Sequence, residues 1–347
     1  MYMSLTTTAA VSRKLIKYGG GMILFVGFGV VILLGAIRAY RAAHPPYLPP
    51  TTRYGRLPKI VFPEKKFETK NFTLQLPNEV FPKFADQAKV YIIYQPIKDF
   101  LALEYYSKIA SGLGFKDKGA EVGVGIYEFK DSNNRTLTIN VLNGNFRLSY
   151  PYQNDQMLLD PEKVPSKEEA INMAKAFLTS GDRFGKDLEE GEKKVSYWKI
   201  EYDGLKSVPA QSEANVARVD FYRKNIEGET KMVTAETNRA AVSVLVSGAT
   251  VAGKQIIEVD YKYANVDRES FETYPIKTIE KAWEEMKAGK YWPAFDAVKA
   301  EVIIRKVSLG YFEPVIATNF LQPVFVFEGD GGFTAYVPAI TDEWIGK

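Results

Sequence analysis

SKEEAINMAKAFL, residues 166 to 178, is followed by four segments of another kind: KVSYWKIEY (194–202), ANVARVDFYR (214–223), AAVSVLVSG (240–248) and KQIIEVDYKYANV (254–266). The first is predicted to be a helix. Ser166 and Glu169 stand at capping-box spacing, and Ile171, Ala174 and Leu178 share one face. The other four are rich in β-branched and aromatic residues. Their alternation, as in VDFYRK and EVDYKY, predicts strands with one buried and one solvated face. A helix laid on one face of an antiparallel sheet, the α+β class, satisfies both patterns.

The same order recurs on either side. Upstream, KFETKNFTLQL and AKVYIIYQ read as strands; then Asp99 opens the helical DFLALEYYSKIASGLGF, with Phe100, Leu103, Ile109 and Leu113 at helical spacing and Gly112 and Gly114 as the stop. VGVGIYEFK, TLTINVL and NFRLSYPY follow as strands, joined by the turn sequences DSNNR and LNGN. Downstream, Thr278 caps TIEKAWEEMKAG, whose stripe is Ile279, Trp283 and Met286 and whose stop is Gly289. EVIIRKVSLGYF, QPVFVFEG and FTAYVPAI close the chain as strands. Three helix-plus-antiparallel-sheet units are expected. The polar stretch NDQMLLDPEKVPS, from Asn154 to Ser166, is the expected boundary between a first α+β domain over 66–155 and a second over 156–347, the latter divisible into 156–265 and 266–347.

The N-terminus is different. Gly19 to Ile37, GGGMILFVGFGVVILLGAI, holds nineteen residues without a charge. As a helix at ~1.5 Å per residue it spans about 28 Å, close to the roughly 30 Å hydrocarbon layer of a bilayer, so 19–38 is expected to be a transmembrane helix. Tyr18 and Tyr40 bracket the run, and Arg13, Lys14, Lys17, Arg38 and Arg41 flank it. The expected layout is a basic cytoplasmic tail over 1–18, a single-pass signal anchor in the cell membrane, and an extracytoplasmic remainder. Prolines at 45, 46, 49, 50, 58 and 63 predict a semi-rigid stalk over 39–65, on the order of 60 Å long.

Residues 1–63 carry eight Lys or Arg and no acid, whereas the other 284 carry 37 basic and 42 acidic residues. The basic end suits anionic lipid headgroups, and the absence of a basic stripe elsewhere argues against nucleic acid as a partner. The chain has no cysteine and one histidine, His44. Disulfides, thiolate catalysis, Cys/His zinc sites and Ser-His or Cys-His nucleophiles are therefore excluded.

Apparent motifs dissolve in context. GATVAGKQ (248–255) matches a phosphate-binding loop up to Gln255, but the alternating IIEVDYKY behind it predicts a strand where such a loop needs a helix. Ser196 and Lys199 have Ser-x-x-Lys spacing, yet on a strand they point to opposite faces. Asp131-Ser-Asn-Asn-Arg135 lacks the glycine and terminal glutamate of a calcium loop, and Gly123-Val-Gly125 lacks the third glycine of a dinucleotide loop. Gly329-Asp-Gly-Gly332 reads as a turn, and the acidic run Asp187, Glu189, Glu190, Glu192 as a solvated loop. No catalytic residue, metal ligand or cofactor site is expected.

In the last segment Ile304, Val307, Leu309, Tyr311, Pro323, Val324, Phe325, Phe327, Tyr336 and Ala339 form the pattern I-x-x-V-x-L-x-Y, then P-V-[WF]-x-[IVF], then a strand ending in a small residue. This resembles the C-terminal part of the YycH/YycI-type and PepSY-like extracytoplasmic proteins of bacteria, and SKEEAINMAKAFL is similar to the helix that opens such a unit. The resemblance implies a single-pass anchor carrying a non-catalytic domain that binds or regulates another envelope protein, and it transfers no functional residue. Two rivals stand beside it. One is a wall-contacting structural module, with Tyr150/Tyr152, Tyr197/Trp198 and Tyr291/Trp292 stacking on sugars. The other is a hydrolase using carboxylates or a Ser-Lys pair.

Overall fold

The computed structural model describes residues 26–40, 48–64, 67, 70–94, 101–159, 163–237, 239–296 and 300–346. The chain divides into two units, Met1–Pro49 and Pro50–Lys347. In the first, residues 26–40 form helix α1, whose apolar side chains, Phe28, Val31 and Leu33 among them, are exposed. Among the described residues no helix is long and apolar enough to cross a membrane. Residues 19–25 of the expected span lie outside the described part, as does the tail over 1–18.

The strands of the second unit are β1 (Asn71–Leu74), β2 (Gln87–Tyr94), β3 (Ala120–Gly123), β4 (Ile126–Lys130), β5 (Thr136–Asn140), β6 (Phe146–Ser149), β7 (Lys193–Glu201), β8 (Gly204–Val208), β9 (Val216–Phe221), β10 (Lys231–Val233), β11 (Val242–Ser247), β12 (Ile256–Tyr261), β13 (Asn265–Pro275), β14 (Trp292–Phe295), β15 (Glu301–Phe312), β16 (Phe320–Leu321), β17 (Pro323–Gly329) and β18 (Thr334–Pro338). Its helices are α2 (Ala102–Gly112), α3 (Gln156–Leu159), α4 (Lys167–Ser180), α5 (Lys186–Glu190) and α6 (Ile279–Lys287). The fold is mixed α and β, and mostly sheet.

Nine strands form one antiparallel sheet in the order β3-β4-β5-β6-β12-β11-β9-β7-β8. α2 and α4 cover one face: Tyr106, Ile109 and Ala110 of the first and Ala170, Ala174 and Leu178 of the second pack on Leu148, Val219 and Val244. Period-two alternation sends Leu245, Val216 and Ile257 to the other face, where Leu158 of α3 closes a smaller core. The two helix-led groups of strands join where β6 pairs with β12. The helix ends converge there, and a Cβ on Gly112 would lie 2.3 Å from the Ser180 carbonyl oxygen. Strands from both sides of residue 155 thus share one sheet, so the expected boundary at 155/156 is not a break between domains. Its polar composition marks a loop, and fully buried Leu158 keeps that loop on the sheet.

The second sheet runs β1-β15-β17-β18-β14, with β10 also on β15, and α6 packs on it through Ile279, Ala282 and Met286. β2, β13 and β16 form a third, small sheet. The expected stalk is overturned over residues 51–63, which are docked. Leu57 is 0% exposed. Its amide donates to Trp344 O at 2.8 Å, and its carbonyl accepts from Gly346 N at 2.8 Å. Further along, Phe62 stacks on Trp292, whose indole N–H donates to Pro63 O at 2.8 Å. Leu57, Ile60 and Phe62 supply apolar anchors between the prolines, and burying them outweighs the solvation of an extended chain. In sequence, residues 41–50 separate α1 from the docked segment.

Two segments break where single strands are expected. VGVGIYEFK is the β3–β4 hairpin, turned at Val124-Gly125, with Gly125 at φ +67, where glycine meets little steric cost. KQIIEVDYKYANV leaves the nine-stranded sheet after Tyr261 and enters the small sheet at Asn265. The capping box of α4 is present, with Ser166 N donating to Glu169 Oε2 at 2.8 Å and Glu169 N to Ser166 Oγ at 3.4 Å. Ser166→Ala should cost about 1 kcal/mol, and Leu57→Ala about 2–5 kcal/mol. Chemical denaturation of the two variants checks that order.

Candidate functional site

A cavity of about 660 Å3 lies on the seam between the nine-stranded sheet and the small sheet. Its wall comes from the end of β2 (Tyr94), the start of α2 (Leu101, Tyr105, Tyr106), the β5–β6 loop, the α4–α5 turn (Asp182, Arg183), the end of β12 (Tyr261, Tyr263) and the loop after β15 (Pro314, Ile316). The lining is mainly aromatic and aliphatic. Around it Tyr94, Leu101, Tyr105 and Ile316 are large apolar side chains left exposed. Concave, apolar sites with a few convergent polar groups are where proteins usually bind ligands, and large exposed apolar patches on folded surfaces commonly mark interaction sites.

The polar groups are few and specific. Arg183 Nη2 donates to Tyr105 Oη at 2.6 Å, while its Nε is buried with no hydrogen-bond partner. Asp182, the other charged side chain lining the cavity, is exposed. Tyr94 donates to Asp267 Oδ2 at 2.5 Å, and this bond, with those from Ser270 and the Glu269 amide, holds the Asp267 carboxyl down at about 2. Burial pushes the Tyr261 hydroxyl well above its usual range.

Behind the tyrosines sits a buried charge cluster. Arg223, 7% exposed, donates through Nε to Asp187 Oδ2 at 2.6 Å, and through Nη1 to Glu313 at 2.9 Å and to Ala264 O at 2.6 Å. Its guanidinium stands 4.1 Å from the centre of the Tyr263 ring, whose hydroxyl donates to Asp187 Oδ1 at 2.6 Å. Ala264 N donates to Glu313 Oε1 at 2.8 Å. Burial pushes the Glu313 carboxyl up, with Arg223 pulling against it. For Asp187 burial acts in the same sense, but Arg223, Tyr263 and Arg268 outweigh it and hold that carboxyl below the usual range. The cluster fastens α5, β9, β15 and the β12–β13 bend together, and the cavity is built on its far side.

On the other side of Arg223 lies a wider, polar cleft of about 1120 Å3, in which Lys224 pairs with Glu190 at 2.6 Å and Lys89 with Glu227. The acidic run expected to be solvated is therefore largely engaged: Asp187 in the buried cluster, Glu190 with Lys224, and Glu189 with Lys175.

Of the membrane-flanking residues, Arg38 and Tyr40 are exposed on the last turn of α1, and Arg13, Lys14, Lys17, Tyr18 and Arg41, like His44, lie outside the described part. The proposed sugar-stacking aromatics are largely taken up by packing. Tyr152, Tyr291 and Trp292 are buried, and the Arg218 guanidinium sits 4.4 Å from the Trp198 ring centre. GATVAGKQ joins β11 to β12, and Ser196 and Lys199 lie on β7. Among the described residues no group of three or more His, Cys, Asp or Glu side chains is placed to hold a metal ion. Arg183, Tyr105, Arg223 and Glu313 carry no local motif. Only Asp187 in the acidic run and the Tyr261/Tyr263 alternation pointed toward this region.

No family model and no curated protein matches the chain. Among solved structures, an uncharacterized protein from Eubacterium rectale is similar at 13% identity, covering 74% of this chain and 84% of that one with a TM-score of 0.38. The YpeB C-terminal domain of Bacillus megaterium is similar at 12% identity, covering 72% of this chain and 95% of that one with a TM-score of 0.29. At such scores neither likeness carries a function to this chain.

Glu313→Ala removes one of the two carboxylates that meet Arg223 and leaves the Ala264 amide without its acceptor, and should cost about 1–3 kcal/mol of stability. Asp187, whose folded pKa is depressed, adds stability that is fully present above the ~3.9 of an unfolded aspartate and is lost as pH falls through its lower folded value. Asp187→Asn should flatten the acid limb of a plot of unfolding midpoint against pH, starting from a less stable protein at pH 7.

Proposed function

We propose that the chain is a membrane-tethered, extracytoplasmic binding protein that acts on another envelope protein without catalysing a reaction. The observation that carries the binding reading is the aromatic cavity ringed by Tyr94, Leu101, Tyr105 and Ile316, which offers a partner both a concave site and an apolar rim. Supporting the tether are the uncharged run from Gly19 to Ile37, the basic and tyrosine flanks, and exposed apolar side chains along α1. The PepSY-like character of the C-terminal strands rests on the hydrophobic positions from Ile304 to Ala339, and regulation of the partner follows from that resemblance.

A photo-crosslinking residue placed at Ile316 in the full-length chain should capture an identifiable envelope protein in intact cells. The same residue at Tyr202, fully exposed on the β7–β8 turn and away from the cavity lining, should not. Equal capture at both positions would remove the rim from the argument. Hydrolysis of peptide or glycan substrates by the purified chain, abolished by one serine or carboxylate substitution, would overturn the non-catalytic reading. Release of the chain from membranes at alkaline pH would overturn the tether.

A further inference from the structure

We infer that the seam cavity takes an apolar group ending in a carboxylate, with Arg183 as its anchor; this rests on the binding reading and specifies its ligand. Arg183 has one hydrogen bond, to Tyr105 Oη, and a buried Nε without a partner, and among the described residues no carboxylate lies within ion-pair distance of it. A guanidinium presents a fork of donors matched to two carboxylate oxygens. The other buried or half-buried arginines of the unit have their acids in place: Arg135 with Asp131, Arg218 with Asp220, Arg223 with Asp187 and Glu313, Arg239 with Glu258, and Arg268 with Asp187. Arg183 is the exception, and it is the one that lines a largely apolar cavity. A negative group arriving there would meet charge complementarity at one end and tyrosine faces along its length.

Size and rim define the rest of the ligand. A volume of about 660 Å3 exceeds that of a single side chain and suits either the last few residues of a polypeptide or a small aromatic or aliphatic acid. Exposed Asp182 at the rim disfavours ligands carrying several negative charges, through a repulsion that salt screens. Both sources share one chemistry, a single carboxylate on an apolar body.

Isothermal titration of the full-length chain in nanodiscs would use acetyl-Ala-Leu-Leu-Phe and 4-phenylbutanoate, each as the free acid and as the amide. The acids should bind about ten- to a hundredfold more tightly than the amides, the range expected for a charge-assisted pair. Arg183→Gln should erase that difference, and Ala317→Trp, which fills the cavity from its loop, should abolish binding of both forms. If Arg183→Gln lowers the unfolding temperature, Arg183→Lys supplies the second reading and should retain part of the preference for acids. A preference shown only by the peptide assigns the site to a chain end, and one shown by both probes assigns it to apolar acids at large. Acid and amide binding alike, an acid preference that survives Arg183→Gln, or no binding of any probe at millimolar concentration would overturn the inference. Selective crosslinking at Ile316 that persists in that case would leave the binding reading standing.

Discussion

A guanidinium taken out of water must be matched on every side, and the position of Arg223 between sheets imposes that demand on three other parts of the chain at once. Asp187 comes from a short helix, Glu313 from the end of a strand in the second sheet, and the carbonyl of Ala264 from the bend between two strands. Desolvating such a cluster is expensive, and an apolar replacement of the same shape is often no less stable. What the ions add is geometry: each partner must sit within hydrogen-bond reach of a planar fork. The stability of the joint and the position of the tyrosines on its far side are therefore set together.

The cavity inherits its shape from this joint. Tyr263 is gripped by Asp187 at its hydroxyl and by Arg223 on its ring, and Tyr261 stacks on Phe146 with centroids 4.6 Å apart. These rings form a rigid floor, whereas the rim comes from the first turn of α2 and the loop after β15. A rigid floor with an exposed apolar edge suits recognition, in which preorganisation lowers the cost of association.

The elements legible in the sequence are those whose causes are local. α4 announces itself because its cap, its acidic third residue and its apolar stripe all lie within fourteen residues. β15 spans Glu301–Phe312, the limits its alternation predicts. The break at Ala264 could not be read in the same way. Its amide is satisfied by a side chain 49 residues later and its carbonyl by one 41 residues earlier. The proline-rich lead-in misled for the opposite reason: proline spacing describes how stiff an extended chain is, whereas Leu57 and Phe62 decide where it lies. The seam cavity was invisible because its wall draws on six separated stretches, none with a motif of its own.

Leu57 makes a parallel bridge with Ile345, so the front of the folded unit is clamped by its last residues. Tension applied to the chain ahead of Pro50 is borne first by the bonds of Thr51 and Thr52 to Thr273 and then by those of Leu57 to Trp344 and Gly346, before it reaches either large sheet. The hold on the leading segment of the unit is thereby set in part by its last residues, and removing Trp344 to Gly346 would soften that grip while leaving the strand pairs of the nine-stranded sheet in place.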